Sequence, residues 1–310
     1  MAARFRTWND YFIPGSDDVL RNKFTAPGKP HGEPDAENLR AAEEAAANLR
    51  LIELAKYPIQ GEFDYDHMKA IHRHVFQDVY EWAGQERVAP VGEFMSKDGH
   101  SYYGAGPALT EAAEAEYRKI AAGDYLRGMD QEPFVAELAE RWGELNVVHS
   151  FREGNTRSQF VFFSQLAEAA GYKLDTEAFR PGNPLREEFV AARFHGQDTG
   201  SNKRLAAVLG LAITKLPPGL GAAASPNSPT RPSPSRASFP MPATKAMNAE
   251  VADRDPATPE AGGPAARAPR AVRASFPASA ADSLRQPSSE TPQARRGGPT
   301  PGRPQGTGRD

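Results

Sequence analysis

Proline is distributed very unevenly along this chain, and that distribution limits which part of it can fold. The chain has 310 residues and 28 prolines, and 18 of these prolines lie from Pro217 onwards. The same stretch carries a net charge of +5 and only two aromatic residues, whereas residues 1–216 carry −8. A segment of that composition buries too little apolar surface to offset the entropy lost on ordering. We therefore expect one folded domain over 1–216 and a disordered Pro/Ala/Ser/Arg-rich tail over 217–310.

Several classes of protein are excluded by composition. The absence of cysteine rules out disulfide scaffolds, thiolate metal sites and cysteine nucleophiles. No apolar run approaches the roughly 20 residues of a membrane span, and no apolar segment of the secretory type follows Met1. The negative charge of the folded part disfavours direct binding to nucleic acid. The sequence predicts a cytoplasmic protein with neither a membrane nor a nucleic acid as partner.

The spacing of apolar residues predicts an all-α domain. Leu, Ala and other apolar residues recur at three- and four-residue intervals, which places Trp82 and Trp142 in the core. His72 and His74 face different sides of their helix, so with His67 they are not expected to form a metal site. Only 87–103 breaks the helical pattern, and its Lys97-Asp98-Gly99 turn predicts a short β-hairpin flap. The predicted helices are 35–56, 66–82, 107–122, one starting near 130, 155–170, 184–194 and 201–214.

One nine-residue segment, His149-Ser-Phe-Arg-Glu-Gly-Asn-Thr-Arg157, concentrates residues suited to phosphate chemistry. Gly154 and Asn155 open a predicted helix, whose N-terminal N–H groups attract anions. Arg157 offers a cationic fork for phosphate, and Glu153 is a hard oxygen ligand of the kind that Mg²⁺ prefers. His149 can accept a proton near neutral pH.

Each of these residues also has a simpler explanation when it is taken singly. His149 would be a satisfied interhelical histidine, and Glu153 and Arg157 would form an i,i+4 pair on a helix surface. Their joint occurrence beside Gly154-Asn155 favours a phosphate-binding loop that carries a metal carboxylate and a base.

This segment resembles the signature of the Fic family, His-Pro-Phe-x-Asp/Glu-Gly-Asn-Gly-Arg-x-x-Arg. Two further stretches, 11–23 and 71–84, are similar to toxin-type Fic proteins, and they occur in the same order. The resemblance implies a Fic-type helical bundle. It also implies a protein adenylyltransferase that moves AMP from ATP to a hydroxyl group of a target protein, as a bacterial toxin or a translocated effector.

The resemblance assigns a role to each matching residue. His149 would deprotonate the target hydroxyl, Glu153 would hold Mg²⁺, and Arg157 would bind the nucleotide phosphates. Gly154, Asn155 and Thr156 would form the backbone anion hole. The target protein would dock on the flap around Ser96–Gly99 by strand addition, where Lys97 would touch phosphate or target, or be solvated.

Three positions depart from the signature. Ser150 replaces proline, and Thr156 replaces a glycine, so the loop must hold its amides with ordinary torsions at that residue. Phe160 replaces the second arginine, which in the family contacts the ATP γ-phosphate and pairs with an inhibitory glutamate. Two alternatives therefore remain open: a Fic-fold transferase with another nucleotide or phosphate donor, and a degenerate domain that binds nucleotide or a partner without transfer.

Regulation and delivery are inferred from the rest of the chain. No Ser/Thr-x-x-x-Glu-Gly/Asn inhibitory motif occurs, so the resemblance implies a separate antitoxin. The inhibitory glutamate of that antitoxin would find no arginine at position 160 to pair with. The basic tail, in which Arg-Ala-Ser-Phe-Pro occurs at 236–240 and 273–277, is similar to signals read by secretion machinery. Such a tail would let the protein be translocated into another cell, and the repeat also fits a partner-bound linear motif.

Overall fold

The computed structural model describes residues 5–92, 94–97 and 99–217. All of the predicted disordered tail except Pro217, including both copies of the repeat, lies outside the described residues. The described part is mostly helical, as predicted. None of its helices is both long and apolar enough to cross a membrane.

Helices account for most of the described ranges. Short 3₁₀ turns cover Trp8–Tyr11, Asp124–Leu126 and Thr176–Phe179. The α-helices are α1 Ala36–Lys56, α2 Tyr65–Phe76, α3 Pro107–Ala122, α4 Gln131–Val148, α5 Asn155–Ala169, α6 Pro184–Thr199 and α7 Lys203–Gly210.

Helix α4 lies at the centre of the domain. Every residue from 141 to 148 is buried, and Trp142 stacks on Phe163 of α5 at a centroid distance of 4.6 Å. Trp82 and Trp142 are both almost fully buried, which confirms their predicted place in the core. Because the last turns of α4 are enclosed on all sides, the loop that follows α4 starts from a rigid position.

Helices α1 and α2 begin close to where the sequence predicted. The side chain of Asp35 accepts hydrogen bonds from the backbone N–H groups of Glu37 and Asn38, as an N-cap residue does. Helix α2 ends at Phe76, six residues before its predicted end. The chain then turns back on the core, so that Val79 is still buried although it is no longer helical.

The predicted hairpin is present, and a second small sheet was missed. Strands β1 Phe94–Lys97 and β2 His100–Tyr103 pair antiparallel, with Met95 opposite Tyr102. Strand β3 Tyr172–Leu174 pairs antiparallel with β4 Ile213–Lys215. The predicted helix over 201–214 is wrong at its end, because α7 stops at Gly210 and the chain then enters β4. Periodicity alone does not separate a short apolar strand from a helical end.

Candidate active site

The loop between α4 and α5 carries the predicted chemistry. Two residues with positive φ begin and end the turn. His149 caps α4 in the left-handed conformation, with φ 51° and ψ 56°, and Gly154 caps α5 with φ 78°. The chain therefore reverses over five residues and brings His149 and the first turn of α5 into one loop.

Gly154 is required here for its lack of a side chain as well as for its torsion angle. A Cβ atom at this position would lie 2.2 Å from Cε2 of Phe76, far inside any real contact. Asn155 closes the loop with two hydrogen bonds to Phe151: its Oδ1 accepts from the Phe151 N–H at 2.9 Å, and its Nδ2 donates to the Phe151 carbonyl at 2.7 Å. The Asn155 side chain thus braces the loop and leaves its own N–H at the start of α5.

The first turn of α5 provides an anion site. The backbone N–H groups of Asn155, Thr156 and Arg157 belong to a first helical turn, where no preceding carbonyl is available within the helix. Thr156 adopts a helical conformation and does not have positive φ, as the sequence required of a β-branched residue. The N-terminal end of a helix attracts phosphate through these N–H groups and through the helix dipole.

His149 is held in its neutral form. Its ring is 7% exposed and lies 4.7 Å from the Tyr102 ring. Burial lowers the pKa of His149 well below its usual value, and the positive charges of Lys97, Arg87 and Arg193 lower this pKa further. A neutral imidazole at pH 7 can accept a proton from a hydroxyl group.

Arg87 and His72 fix the backbone of the loop, and neither was predicted to do so. Arg87 Nε donates to the His149 carbonyl at 2.8 Å. His72 Nδ1 accepts from the Gly84 N–H at 2.8 Å, so its Nε2 donates to the Glu153 carbonyl at 2.9 Å. Burial lowers the pKa of His72 to about 3, and this histidine is therefore a neutral structural donor.

Glu153 is the carboxylate nearest the start of α5. Its side chain is 1% exposed, and Oε1 accepts from the Gly154 N–H at 3.0 Å. The described residues contain no cluster of three or more His, Asp or Glu side chains that would form a protein-only metal site. One buried carboxylate beside an anion site does suit Mg²⁺, which usually binds one or two carboxylates and completes its shell with phosphate oxygens and water.

Arg157 is engaged by two carboxylates. Its Nη2 donates to Glu43 Oε1 of α1 and lies 3.6 Å from Glu153 Oε1, and its guanidinium group lies 4.6 Å from the centre of the Phe76 ring. Glu43 is buried and also accepts from the Tyr80 hydroxyl. Burial raises the pKa of Glu43, whereas Arg157 opposes that rise.

The role of Glu43 was missed because the wrong face of α1 was read as apolar. The three- and four-residue spacing of apolar residues in this helix predicts a buried row of Leu39, Ala42, Ala46 and Leu49, but Leu49 is 66% exposed. The buried face instead follows Leu39, Glu43, Ala47 and Leu54. A carboxylate in the middle of such a buried row is the signal that would have pointed to a buried ion pair.

The flap lies against the same loop. Lys97 at the end of β1 is buried and close enough to lower the pKa of His149. Strand β2 is held by α6: Gln197 donates to the Ser101 carbonyl, and His100 Nδ1 lies 2.7 Å from Asp198 Oδ1. Within the described ranges β1 pairs only with β2. Asp98, part of the predicted docking segment, is outside those ranges.

Two further arginines, to which the sequence analysis gave no role, support the loop: Arg152 belongs to it, and Arg193 contacts it from α6. The Arg152 guanidinium group lies 3.9 Å from the Trp8 ring and 5.2 Å from the Phe12 ring, which ties the N-terminal segment to the loop. Arg193 of α6 donates from Nη1 to Thr156 Oγ1 at 3.0 Å. The partners of both arginines lie far away in the sequence, so only the folded structure reveals these contacts.

The model of the Fic/DOC family matches residues 62–167 of this chain. The chain is 40% identical over 146 residues to protein adenylyltransferase VbhT of Bartonella schoenbuchensis, a match that covers 46% of this chain and 28% of VbhT. It is 35% identical over 169 residues to the probable protein adenylyltransferase y4lH of Sinorhizobium fredii, covering 54% of this chain and 80% of y4lH.

Among solved structures, the fold is similar to that of the N-terminal FIC domain of Bep8, a VirB-translocated effector protein of Bartonella sp. 1-1C. The TM-score is 0.57 at 27% identity, and the match covers 69% of this chain and 98% of that domain. The chain thus spans a small part of VbhT, but most of y4lH and nearly all of the Bep8 domain.

Proposed function

This chain belongs to the Fic/DOC family, and on that premise we propose that it is a protein adenylyltransferase. It transfers AMP from ATP to a hydroxyl group of a target protein. Two relatives with at least 35% identity, VbhT and y4lH, carry that name. The residues that the reaction requires are gathered in the loop between α4 and α5.

His149 acts as the general base. It accepts the proton of the target hydroxyl, and the hydroxyl oxygen then attacks the α-phosphorus of ATP. The bond between that phosphorus and the oxygen bridging to the β-phosphate breaks, AMP becomes esterified to the target, and pyrophosphate leaves. The placement of His149 and the first turn of α5 in one tight loop is the single observation that carries this proposal. Burial lowers the pKa of His149, which is consistent with a base that is neutral at pH 7.

The α5 N-terminus binds the phosphates. The N–H groups of Asn155, Thr156 and Arg157 donate to phosphate oxygens and stabilise the negative charge of the transition state. Gly154 allows the close packing that fixes these groups. Glu153 would hold Mg²⁺, which would offset the charge of the phosphates when it is bound.

The target protein docks on the flap as an added strand. Strand β1 is paired on one side only within the described part of the chain, and an unpaired strand edge accepts an extended peptide through main-chain hydrogen bonds. Lys97, at the end of that strand, then contacts the target or the phosphates.

The setting in which the protein acts is that of a cytoplasmic toxin or a translocated effector. The effector setting is supported by the similarity to Bep8, a VirB-translocated effector protein, and by the positive charge of residues 217–310. Those residues would present the protein to secretion machinery, and a separate antitoxin would restrain it in the cell that makes it.

The activity is tested with ATP labelled on the α-phosphate. Incubation of the full chain with cell lysate should transfer label to a protein, and His149→Ala should reduce this rate by roughly 10²–10⁴-fold, the usual contribution of a general base. His74→Ala is the matched control, because His74 is on α2 and pairs with Glu53, and it should keep the wild-type rate. Undiminished labelling by His149→Ala would refute the mechanism.

A second candidate function is favoured by Phe160. Its ring lies 4.9 Å from Trp142 and 5.0 Å from Phe189, so α5 places an apolar group where the family has its second arginine. This observation favours another nucleotide donor, or nucleotide binding without transfer. A panel of labelled nucleoside triphosphates separates these readings, since the adenylyltransferase should prefer ATP and a binding domain should transfer no label.

A further inference from the structure

A cation from another helix stands beside the anion site. Arg193, on α6, is 3% exposed, and its Nη1 donates to Thr156 Oγ1 at 3.0 Å. Thr156 is the second residue of α5, so this hydrogen bond fixes the guanidinium group against the helical turn that binds phosphate. A glycine at position 156, as in the family signature, would offer no such acceptor.

Arg193 also lacks a carboxylate partner. Across the described ranges it forms no ion pair with an Asp or Glu side chain, and its buried Nε has no hydrogen-bond partner there. Its guanidinium group lies 5.3 Å from the Phe189 ring. A buried charge without a counter-ion is costly, and that cost is offset when an anion binds next to it.

The two arginines of the loop itself are already engaged. Arg152 lies over the Trp8 and Phe12 rings. Arg157 pairs with Glu43 and approaches Glu153, and Phe160 removes the second arginine from α5. The charge of Arg193 also reaches the reaction centre, since it contributes to the lowered pKa of His149. Among the described residues, Arg193 is therefore the arginine that contacts the first turn of α5 without a carboxylate to offset its charge.

We propose that Arg193 binds the β- or γ-phosphate of the nucleotide and so takes over the task of the arginine that Phe160 replaces. Thr156 orients it by accepting its hydrogen bond. This inference rests on the proposed function, because it names the residue of the same site that selects a nucleoside triphosphate over a monophosphate.

The test compares the affinity of the full chain for ATP and for AMP by calorimetry. Arg193→Met should weaken ATP binding roughly 10–100-fold, the range expected for losing a hydrogen bond to a charged group, and should change AMP binding less than about threefold. Arg193→Lys should retain part of the ATP affinity. Arg204→Met is the matched control, because Arg204 is exposed on α7 and pairs with Glu188, and it should bind ATP like the wild type.

A second variant keeps the test valid if Arg193→Met does not fold. Thr156→Val preserves the side-chain shape and removes only the acceptor, and it should weaken ATP binding severalfold while AMP binding persists. Equal losses for ATP and AMP, or an Arg204→Met variant as impaired as Arg193→Met, would show a merely structural role and overturn the inference. Wild-type ATP affinity in Arg193→Met would overturn it while leaving the adenylyltransferase intact. A wild-type chain that binds no ATP would remove the proposed function and this inference together.

Discussion

Individual side chains in and beside the α4–α5 loop hold its backbone in place through hydrogen bonds. Asn155 uses its whole side chain to hold Phe151, and His72 uses both ring nitrogens to join Gly84 to the Glu153 carbonyl. The resemblance placed Asn155 in the anion hole, and the structure gives a physical reason for an asparagine there. Only a side chain with both a donor and an acceptor can hold the N–H and the carbonyl of one residue.

At the residue scale, the protonation of His149 provides the sharpest prediction. In the nucleotide-free protein its imidazole pKa should lie below 6.5, because burial and three neighbouring cations disfavour the charged form. The imidazole then stays neutral as the pH falls through the usual histidine range, and it is protonated only below that range. An NMR titration of the histidine rings measures this, and the resonance absent from His149→Ala identifies the residue.

Removal of one of those cations should move the same pKa upwards. Lys97→Met removes the cation that lowers the pKa of His149 most, and it should raise that pKa. Lys173→Met, at an exposed position on β3, should leave the pKa unchanged. A His149 resonance that titrates at or above pH 6.5 in the wild type would contradict the proposed electrostatic environment.

At the scale of elements, α6 joins the flap to the phosphate site. Gln197 and Asp198 hold β2 through Ser101 and His100, and one turn earlier Arg193 reaches Thr156. The sequence predicted α6 only as a helix over 184–194, and the turn that carries Gln197 and Asp198 lies beyond that predicted end. This last turn of α6, which the sequence did not predict, is the part that attaches the flap.

Loss of this attachment should impair recognition of the target and spare the nucleotide. The double variant Gln197→Ala, Asp198→Ala should raise the KM for the target protein roughly tenfold, since an unpaired carbonyl in a part-buried strand costs about 1–3 kcal/mol. Its affinity for ATP should stay at the wild-type value. The measurement is the transfer rate against target concentration, with ATP affinity from calorimetry.

Glu188→Ala is the control for that experiment. Glu188 is also on α6, but its partner is Arg204 of α7, so the KM for the target should not change. If the double variant keeps the wild-type KM, the flap does not depend on α6 for its position.

For the whole molecule, the second small sheet involves the last strand of the described residues. Strand β4 pairs with β3, and the Leu216 N–H then donates to the Gly171 carbonyl at 2.9 Å. Gln131 of α4 donates to the Ile213 carbonyl at 3.0 Å. The boundary near residue 216 stays a prediction, which rests on the distribution of proline, charge and aromatic residues.

Two truncations test that boundary. Deletion of Pro217–Asp310 should leave transfer activity and the melting temperature unchanged, because β4 and Leu216 remain. Deletion from Ala212 onwards removes β4 and its buried Ile213, and it should lower the free energy of unfolding by at least about 2 kcal/mol. Urea unfolding and the ATP-labelling assay measure the two effects. A loss of activity in the shorter deletion would move the domain boundary into the tail.

The sequence by itself determined the helical class and the flap, and it predicted the domain boundary and the loop proposed to carry the chemistry. These properties depend on residues close together in the chain: apolar periodicity, turn residues and the nine-residue segment from His149 to Arg157. Only the tertiary structure decided the charges at the site. Glu43 pairs with Arg157, which is 114 positions away in the sequence, and Arg193 forms a hydrogen bond with Thr156, which is 37 positions away. Ion pairs and pKa values depend on burial and on which charges lie close in space, and no local pattern in the sequence records either.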